Sequence, residues 1–301
     1  GVEAVLEAAE LACDTAKEAG RNRTQLYRQD DGELMARKQQ MQMVNRIHAA
    51  LREDRFRIVC QTIQPVQPGP ERYHFEVLVR LLDERGKVIG PNAFIPAAER
   101  YHLMPVIDRW VIRKTCETLS QHGMARVPDE GTVSINLSGQ SFADEDIIAY
   151  ISEQLYGSGV HPGCICFEIT ETAAMSNTDA AHRIIAQLRE KGCRFSLDDF
   201  GTGMSSFAYL KTLPVDYLKI DGSFVRQVVD DRVSRAMVAA INEIGHVMEL
   251  KTIAEFVETD EIARRLADMG LDYLQGYSIA EPEPIEEYTG FLAKARCVGV
   301  G

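Results

Sequence analysis

The sequence lacks any apolar run near the roughly 20 residues that a membrane-spanning helix needs, and no signal-peptide pattern opens it. It also lacks a run rich in lysine and arginine. A formal net charge of -12 argues against binding a nucleic acid polymer through a basic surface. A cytoplasmic location is therefore expected. Gly1 stands where an initiator methionine would stand, so a membrane anchor elsewhere in a longer parent protein stays open.

Cysteine occurs seven times, an odd number, without a paired Cys-x-x-Cys pattern or dense disulfide spacing. Reduced thiols are the simplest interpretation. Cys164 and Cys166 share one face of a predicted strand, where small buried side chains occur more often than a soft-metal pair. The glycines of Gly201-Thr202-Gly203 follow acids and do not open a phosphate-binding helix, so nothing resembles a dinucleotide-binding fingerprint.

The length of 301 residues and the hydrophobic content of 45% suit one large domain with a short appendage, because barrels of about 250 residues form single domains. Residues 1 to about 28 carry small and apolar side chains at helical spacing, which predicts an amphipathic helix with a C-cap at Gly20 and a short extended tail. Residues 29–40 are polar and indicate a linker, and a helix is predicted from about Glu33 to Glu53. We divide the chain into residues 1–40 and a main body at 41–297.

Short β-rich runs alternate with amphipathic helical stretches from Phe56 onward. Eight strands are predicted, at 56–64, 73–82, 131–137, 163–169, 193–198, 215–220, 250–255 and 272–277. One helical stretch presents Val106, Ile107, Trp110, Val111 and Leu119 as a single buried face. Alternation of this kind implies a parallel sheet, and eight units favour a closed barrel. The predicted fold class is α/β, a TIM-like (β/α)8 barrel preceded by a short helical segment.

Polar and ionisable residues recur at the carboxyl ends of these strands, the face on which barrel enzymes place their sites. They are Asn136, Glu168, Glu171, Asp198, Asp199, Lys219, Asp221, Glu255 and Gln275, and Glu76 joins them from within the second predicted strand. One acid at a strand end is usually a helix cap or a solvated residue, but six strands ending this way are hard to explain as caps. Burying many carboxylates near one axis requires cations, and oxygen ligands without a histidine cluster indicate Mg²⁺ or Mn²⁺ rather than Zn²⁺. The adjacent Asp198 and Asp199 suit a bridged pair of ions that clamps the oxygens of a phosphoryl displacement.

Seven short motifs occur in one order over about residues 40 to 295. They are Glu76-Val77-Leu78-Val79-Arg80, Asn136-Leu137-Ser138, Glu168-Ile169-Thr170-Glu171, Asp198-Asp199-Phe200-Gly201-Thr202-Gly203, Leu218-Lys219-Ile220-Asp221, Ala254-Glu255 and Gln275-Gly276-Tyr277. Together they resemble the successive signatures of EAL-domain cyclic-di-GMP phosphodiesterases. The stretch 16–23, followed by Tyr27, resembles the final helix and strand of a GGDEF (diguanylate cyclase) domain, whose catalytic part is absent from this chain.

The resemblance implies a two-metal centre that uses Mg²⁺ or Mn²⁺ and that Ca²⁺ inhibits. Its implied ligands are Glu76, Asn136, Glu168 and Asp198 for one ion and Asp198, Asp199 and Glu255 for the second, with Asp221 close by. The implied catalytic set is Lys219, Glu255, Asp199 and Glu171. Lys219 would orient the attacking water, and the metals would deprotonate that water at neutral pH. Glu171 would anchor the loop that runs from Asp199 to Ser206 and couple the site to dimerisation.

The same resemblance implies the substrate contacts. Arg80 would hold a phosphate of cyclic-di-GMP, because a guanidinium fork matches its oxygens. Gln275 would lie near the metal-bound water. Gln61 and the stretch from Phe94 to Glu99 correspond to segments that line the guanine pockets.

The sequence departs from the family pattern at several positions. Val77 replaces the alanine of the signature triplet, but alternation points it to the face opposite Glu76, so it should not touch the metal. Phe256 replaces the glycine usual after Ala254-Glu255, and it could alter turnover or pocket shape. The other departures are Cys60, Thr62, Leu81 and Met204.

Three functions are compatible with these features. The first is hydrolysis of cyclic-di-GMP to linear pGpG. The second is a weak or inactive receptor module that binds cyclic-di-GMP and signals to a partner, and the third is a phosphodiesterase for another dinucleotide. The resemblance also implies a homodimer formed through the barrel and upstream sensory or GGDEF domains in the parent protein.

Overall fold

A computed structural model describes residues 32–69, 72–127, 130–201 and 210–288. The predicted helix at 1–28, the GGDEF-like stretch and the predicted end of the main body at 297 lie outside the described residues. The same is true of residues 202–206 of the glycine-containing loop.

Helices and strands alternate along the described chain. The helices are α1 (Gly32–Arg52), α2 (Pro91–Arg100), α3 (Met104–Gln121), α4 (Ile147–Ser158), α5 (Glu171–Ser176), α6 (Thr178–Glu190), α7 (Gly222–Val225), α8 (Arg232–Val247) and α9 (Asp260–Asp268). The strands are β1 (Phe56–Thr62), β2 (Gln64–Pro65), β3 (His74–Leu82), β4 (Val88–Ile89), β5 (Thr132–Asn136), β6 (Ile165–Thr170), β7 (Arg194–Phe200), β8 (Tyr217–Ile220), β9 (Lys251–Ala254), β10 (Tyr273–Leu274) and β11 (Glu283–Pro284). Each of the eight predicted strands is present, and α1 confirms the helix predicted from about Glu33 to Glu53.

The described residues form two compact units, one of residues 32–57 and 80–103 and a larger one of 58–79 and 104–288. In the smaller unit, α2 begins at Pro91, whose fixed φ and missing N–H suit the first turn of a helix. Phe94 of this helix is fully buried, and its ring meets that of Phe56 edge to face at 5.9 Å.

The larger unit is a closed barrel. Its strands follow the order β1-β3-β5-β6-β7-β8-β9-β10-β2, with β11 paired to the outer edge of β1. Since β2 continues β1 after the single residue Ile63, the strand at one end of this order is joined to the strand at the other end, and the sheet closes. The predicted TIM-like barrel is confirmed.

The first barrel strand differs from the regular alternation that the sequence predicts. Strands β3 and β5 to β10 run parallel, but β2 pairs antiparallel with β10. Residues 66–73 alone separate β2 from β3, and a parallel crossover needs a dozen or more residues. The loop is therefore too short to hold a crossover helix.

The outer helices bury the apolar faces that the spacing predicts, with one exception. Ile107, Trp110, Val111 and Leu119 of α3 are buried, whereas Val106 is 50% exposed. Including Val106 in the buried face was wrong: although it lies four residues before Trp110, it is on the opposite side of the helix from the buried Met104, Val111 and Thr115. Side-chain caps begin several helices; the Asp231 carboxylate, for example, accepts from the backbone N–H groups of Val233 and Ser234 at the start of α8.

The barrel interior contains an apolar and aromatic layer, composed of Ile63, His74, Cys166, Tyr217, Ile253 and Tyr273. The His74 ring lies 5.4 Å from that of Tyr217 and 5.1 Å from that of Tyr273. We call this set the aromatic layer. Cys166 is fully buried within it, and Cys164 is buried as well. All five cysteines of the described residues are buried and outside any disulfide. Among the described helices, none has the length and apolar character needed to cross a bilayer.

Candidate active site

Four carboxylates converge on the ammonium group of Lys219 inside the larger unit. The Nζ atom of Lys219 lies 2.7 Å from Glu168 Oε2 and 2.8 Å from Glu255 Oε1. It lies 3.3 Å from Glu76 Oε2 and 3.3 Å from Asp198 Oδ1. We call these five residues the acid layer. They come from β3, β6, β7, β8 and the residue after β9, so the structure brings together acids that are up to 179 positions apart in the sequence.

Strand alternation explains why these side chains meet. Residues two apart in a strand point to the same side, so Glu76 lies one inward position beyond His74, and Lys219 one beyond Tyr217. The same step relates Glu168 to Cys166 and Glu255 to Ile253. Parallel strands present their carboxyl ends at one end of a barrel, so the acid layer lies on the carboxyl-end side of the aromatic layer.

Amide side chains complete the surroundings of Glu76. Asn136 Nδ2 donates to Glu76 Oε1 at 2.6 Å, and Gln275 Nε2 donates to Glu76 Oε2 at 2.7 Å. Gln275 Nε2 also lies 3.2 Å from Gln61 Oε1, and Gln61 Nε2 donates to the Ala280 carbonyl at 2.9 Å. Gln61 is thereby placed beside the predicted ligands, and both of its amide ends have protein partners.

The charges of the acid layer do not balance. With all four carboxylates ionised around one ammonium, three negative charges remain uncompensated. Burial, together with the neighbouring Glu76, raises the pKa of Glu168 to about 8. Burial and Asp198 raise the pKa of Glu255 well above its ordinary value. The layer therefore has a strong demand for further positive charge.

Burial also raises the pKa of Asp198. In Glu76 and Lys219, by contrast, the pKa is shifted in the direction opposite to the effect of burial. Burial alone would raise the pKa of Glu76, but Lys219 and the two amide donors lower it below its usual value. Burial alone would lower the pKa of Lys219, but the surrounding carboxylates, Asp198 first among them, raise it well above its usual value. Lys219 consequently stays protonated and acts as a hydrogen-bond donor.

Asp198 and Asp199 reach the site together because β7 is irregular at this point. The register between β7 and β8 shifts between Leu197 and Phe200, as in a β-bulge, and Asp199 has a left-handed backbone with φ of 55°. In a regular strand, consecutive side chains point to opposite faces. Here Asp198, Asp199 and Glu255 each offer an oxygen, and these atoms lie within 4.8 Å of one another. Aspartate tolerates the left-handed region better than most residues, which is consistent with its use here.

Two further predicted acids lie next to this group. Asp221 accepts from the Ser223 N–H at 2.8 Å and caps α7, and it also lies close enough to Asp199 to affect its titration. Burial, then Asp198 and Asp221, raise the pKa of Asp199 to about 6. Glu171, buried at the start of α5, accepts from the Gly201 N–H at 3.1 Å through Oε2. It therefore contacts the first residue after β7.

Arg80 and Glu99 belong to the smaller unit. Arg80 lies in β3, four residues after Glu76 on the same strand, and is half-buried. Glu99 is an exposed residue of α2. Their predicted substrate contacts remain predictions. Val77 is buried on the other side of β3 from Glu76, as alternation requires.

Sequence reasoning missed Asp108, a buried residue of α3. Its Oδ2 atom accepts from the Ser138 N–H at 3.0 Å, the Ser138 hydroxyl at 2.6 Å and the Ser141 hydroxyl at 2.7 Å. These bonds fix the turn that directly follows Asn136. A signal was present, because Asp108 occupies an apolar position of α3, three residues before the buried Val111.

Comparison with known proteins assigns this arrangement to a family. Residues 44–282 match the family described as EAL domain. The cyclic di-GMP phosphodiesterase PdeB of Shewanella oneidensis is 39% identical over 284 residues, covering 94% of this chain and 33% of PdeB. The cyclic di-GMP phosphodiesterase PdeF of Escherichia coli is 34% identical over 248 residues, covering 82% of this chain and 32% of PdeF. The chain thus spans about a third of the length of these curated relatives.

Solved structures share the fold. The PaMucR phosphodiesterase in complex with c-di-GMP has a TM-score of 0.75 at 31% identity, covering 82% of this chain and 99% of that chain. The FimX EAL domain from Pseudomonas aeruginosa bound to c-di-GMP has a TM-score of 0.74 at 27% identity, covering 80% of this chain and 96% of that chain. Since the family match extends over most of the sequence and the barrel is shared, this chain belongs to the EAL domain family.

Proposed function

We propose that this chain hydrolyses cyclic-di-GMP to linear pGpG with a water activated by two divalent cations, Mg²⁺ or Mn²⁺. The observation that carries the proposal is the acid layer, in which four buried carboxylates share one lysine. Relatives named cyclic di-GMP phosphodiesterases, at 39% and 34% identity, support both the reaction and the substrate.

The donor set fits a pair of hard divalent ions. The described ligands are carboxylate and amide oxygens, which Mg²⁺ and Mn²⁺ prefer, and no cysteine or histidine accompanies them in the described cluster of possible metal ligands. Adding Asp199 to the acid layer gives five carboxylates and one ammonium, an excess of four negative charges that two divalent ions would neutralise. Glu168 Oε1 is buried and has no hydrogen-bond partner in the described structure, which leaves it available as a ligand.

Glu76, Asn136, Glu168 and Asp198 would hold one ion, and Asp198, Asp199 and Glu255 the second, with Asp221 nearby. When bound, the two cations would supply Lewis acidity toward a water molecule and a phosphate oxygen. Asn136 would turn its amide so that the oxygen, rather than the nitrogen, faces the ion, since amide nitrogens do not ligate such ions.

Lys219 would orient the attacking water through a hydrogen bond and stabilise charge that develops on the reacting oxygens. Its raised pKa keeps it protonated, which suits a donor rather than a general base. Gln275, bonded to Glu76, would lie beside the same water. Glu171, through Gly201, would hold the start of the loop that follows Asp199 in place.

The substrate contacts belong to the proposal as well. Arg80 would hold one phosphate of cyclic-di-GMP, and Gln61 and Glu99 would border the guanine pockets. A homodimer, upstream sensory or GGDEF domains, a cytoplasmic location and coupling of the Glu171 loop to dimerisation are also proposals, supported by the family resemblance.

A second candidate function is a receptor module that binds cyclic-di-GMP without cleaving it. The observation that favours it is Phe256, which occupies the position directly after Glu255 where the family usually has glycine. A FimX EAL domain bound to c-di-GMP shows that neighbours of this fold bind the nucleotide.

One assay separates the two functions. Purified protein is incubated with cyclic-di-GMP and Mn²⁺ or Mg²⁺, and pGpG is followed by chromatography while nucleotide binding is measured by calorimetry. We expect pGpG with either metal. Tight binding without any pGpG would reject the hydrolase and support the receptor.

Calcium provides a test of the metal geometry. Ca²⁺ prefers more ligands at longer distances than the octahedral shell of Mg²⁺ at about 2.1 Å, so we expect it to inhibit turnover in the presence of Mg²⁺. Full turnover with Ca²⁺ alone would contradict the compact two-ion site.

A further inference from the structure

Phe256 has an unusual backbone for an aromatic residue. Its φ is 51°, in the left-handed region that glycine adopts freely and bulky residues avoid. The residue follows Glu255 directly, and its side chain is 47% exposed. Such backbone conformations persist only where the surrounding structure holds them, and they occur most often near functional sites.

The Phe256 side chain is packed onto Gly222. A Cβ atom added to Gly222 would lie 2.2 Å from Cδ2, 2.7 Å from Cγ and 2.9 Å from Cβ of Phe256, and these are the three atoms nearest to it. Real Cβ atoms do not approach other atoms so closely, so the ring occupies the space that any larger residue at position 222 would need. Gly222 and Phe256 are therefore complementary in shape.

The side chain of Arg226, directly after α7, contacts the Phe256 ring. The Arg226 guanidinium lies 4.3 Å from the centroid of the Phe256 ring, within the range of a cation–π contact. Arg226 Nε donates to Glu258 Oε1 at 2.9 Å, two residues beyond Phe256. The ring is thus fixed between the residues that follow β8 and those that follow β9.

The two residues that precede this contact are acids of the candidate site. Asp221 comes directly before Gly222, and Glu255 directly before Phe256. Asp221 lies beside Asp199, and Glu255 shares the acid group with Asp198 and Asp199. The Glu255 N–H lies 3.3 Å from the Ile220 carbonyl, so the two strand ends are also joined through the backbone. The Phe256 ring therefore lies against the residue that follows Asp221, while its own backbone follows Glu255.

We propose that Phe256 is a positioning residue for the second divalent cation: its ring, seated on Gly222, sets the spacing between the Asp221 turn and Glu255. This inference rests on the proposed two-ion site. It gives a reason for the departure from the family's glycine, because here a side chain braces the loop that glycine would leave free.

The test measures Mn²⁺ binding directly, without nucleotide, from the electron paramagnetic resonance signal of free Mn²⁺. Phe256→Gly removes the ring and suits the left-handed φ. We expect Mn²⁺ affinity to fall by about 10-fold, the lower end of the effect of losing a residue that supports metal ligands. The melting temperature of the metal-free protein should stay close to that of the wild type, because glycine relieves the backbone strain. Phe256→Tyr is the matched control, since it keeps the ring, and it should bind Mn²⁺ as the wild type does.

A double variant tests whether the ring acts through Gly222. Gly222→Ala alone should weaken Mn²⁺ binding as much as Phe256→Gly does, because the added methyl displaces the ring. In the Phe256→Gly background, the same Gly222→Ala change should have little further effect, since the obstructing ring is gone. This non-additivity is the signature of a direct contact.

The outcomes distinguish the inference from the proposed function. Equal Mn²⁺ affinity in the wild type, Phe256→Gly and Gly222→Ala, with normal pGpG release, would overturn the positioning role and leave the hydrolase intact. A 10-fold split in Mn²⁺ affinity with no pGpG from the wild type would reject the hydrolase and support the positioning role. A fall in melting temperature that accounts for the lost affinity of Phe256→Gly would show a merely structural role and overturn the inference.

Discussion

The acid layer and the aromatic layer lie one inward position apart on the same strands, yet they are built in opposite ways. In the aromatic layer, His74 packs against Tyr217 and Tyr273, and burial, followed by Lys219 and Arg194, lowers its pKa to about 3, so it is neutral. In the acid layer, Lys219 and Glu168 are equally buried but charged groups predominate. The aromatic layer consists of neutral groups, and the acid layer has more negative charge than its lysine can balance.

This contrast shows how one strand pattern serves two purposes. Apolar and aromatic contacts stabilise the barrel where no chemistry is needed. The uncompensated acids lie two residues further along, where cations and substrate are proposed to bind, and the left-handed residues Asp199 and Phe256 lie beside them. Stability and function are therefore separated along each strand by a single alternation step, and substitutions in the two layers should have different consequences.

The largest expected effect comes from removing a ligand of the acid layer. Glu76→Ala should lower kcat/KM for cyclic-di-GMP by roughly 10²-fold or more, because a catalytic metal contributes several kcal/mol to transition-state stabilisation. Far-ultraviolet circular dichroism of the variant should remain that of the wild type, since the aromatic layer is untouched. The measurement is pGpG release at saturating Mn²⁺. Near-normal turnover would refute the assignment of Glu76 as a ligand.

A second prediction concerns Asp108, a carboxyl group that is buried outside the acid layer. Its neighbours are neutral hydrogen-bond donors, whereas the acids of the acid layer surround a lysine. Burial is the largest influence on it and raises its pKa to about 6, although Ser138 and Ser141 act in the opposite direction. The folded state therefore holds a proton between about pH 4 and 6 that the unfolded state releases. The contribution of this group to stability is fully present below about pH 4 and is lost as the pH rises through about 6.

Asp108→Asn removes this titration, and the amide oxygen can still accept from the Ser138 N–H. Relative to the wild type, we expect the free energy of unfolding of the variant to rise between about pH 4 and 7 by up to about 3 kcal/mol, the equivalent of a pKa shift of roughly two units. Urea unfolding at a series of pH values measures it. Asp146→Asn, at an exposed position before α4, is the matched control and should keep the wild-type pH slope. If the free energy of unfolding varied with pH in the same way for Asp108→Asn and the wild type, the raised pKa of Asp108 would be contradicted.

Much of the acid layer could be predicted because strand ends in a parallel barrel meet at one end. Glu168, Lys219 and Glu255 each follow an apolar run, which was enough to expect them at one end of the barrel. In the structure, Lys219 Nζ lies within 2.8 Å of an oxygen of Glu168 and of Glu255. The alternation of strands and helices likewise predicted the barrel itself.

Features that depend on local backbone geometry could not be predicted. The bulge at Asp199 and the left-handed backbone of Phe256 produce no periodic pattern of apolar residues in the sequence, because each affects a single residue. The antiparallel direction of β2 could have been inferred from the short connection at 66–73, which is a matter of chain length. Asp108 accepts a hydrogen bond from Ser138, which is 30 positions away in the sequence. The only sequence signal for this contact is that Asp108 lies on the apolar face of α3.

The smallest expected effects come from one substitution in each layer, and the two substitutions should change the free energy of unfolding in opposite directions. Glu168→Gln should raise the free energy of unfolding of the metal-free protein by about 1 kcal/mol at about pH 8.5, above the Glu168 pKa of about 8. The reason is that three carboxylates remain around Lys219, so the loss of one negative charge relieves more repulsion than it removes attraction. Ile253→Val should instead lower that free energy by about 1 kcal/mol, because it deletes one buried methylene from the aromatic layer. Urea unfolding with a chelator measures both, and a saturating concentration of Mn²⁺ should reverse the sign for Glu168→Gln while leaving Ile253→Val unchanged. If the two variants shift stability in the same direction without metal, the excess charge of the acid layer does not destabilise the fold, and the division of each strand into a stabilising and a functional step is wrong.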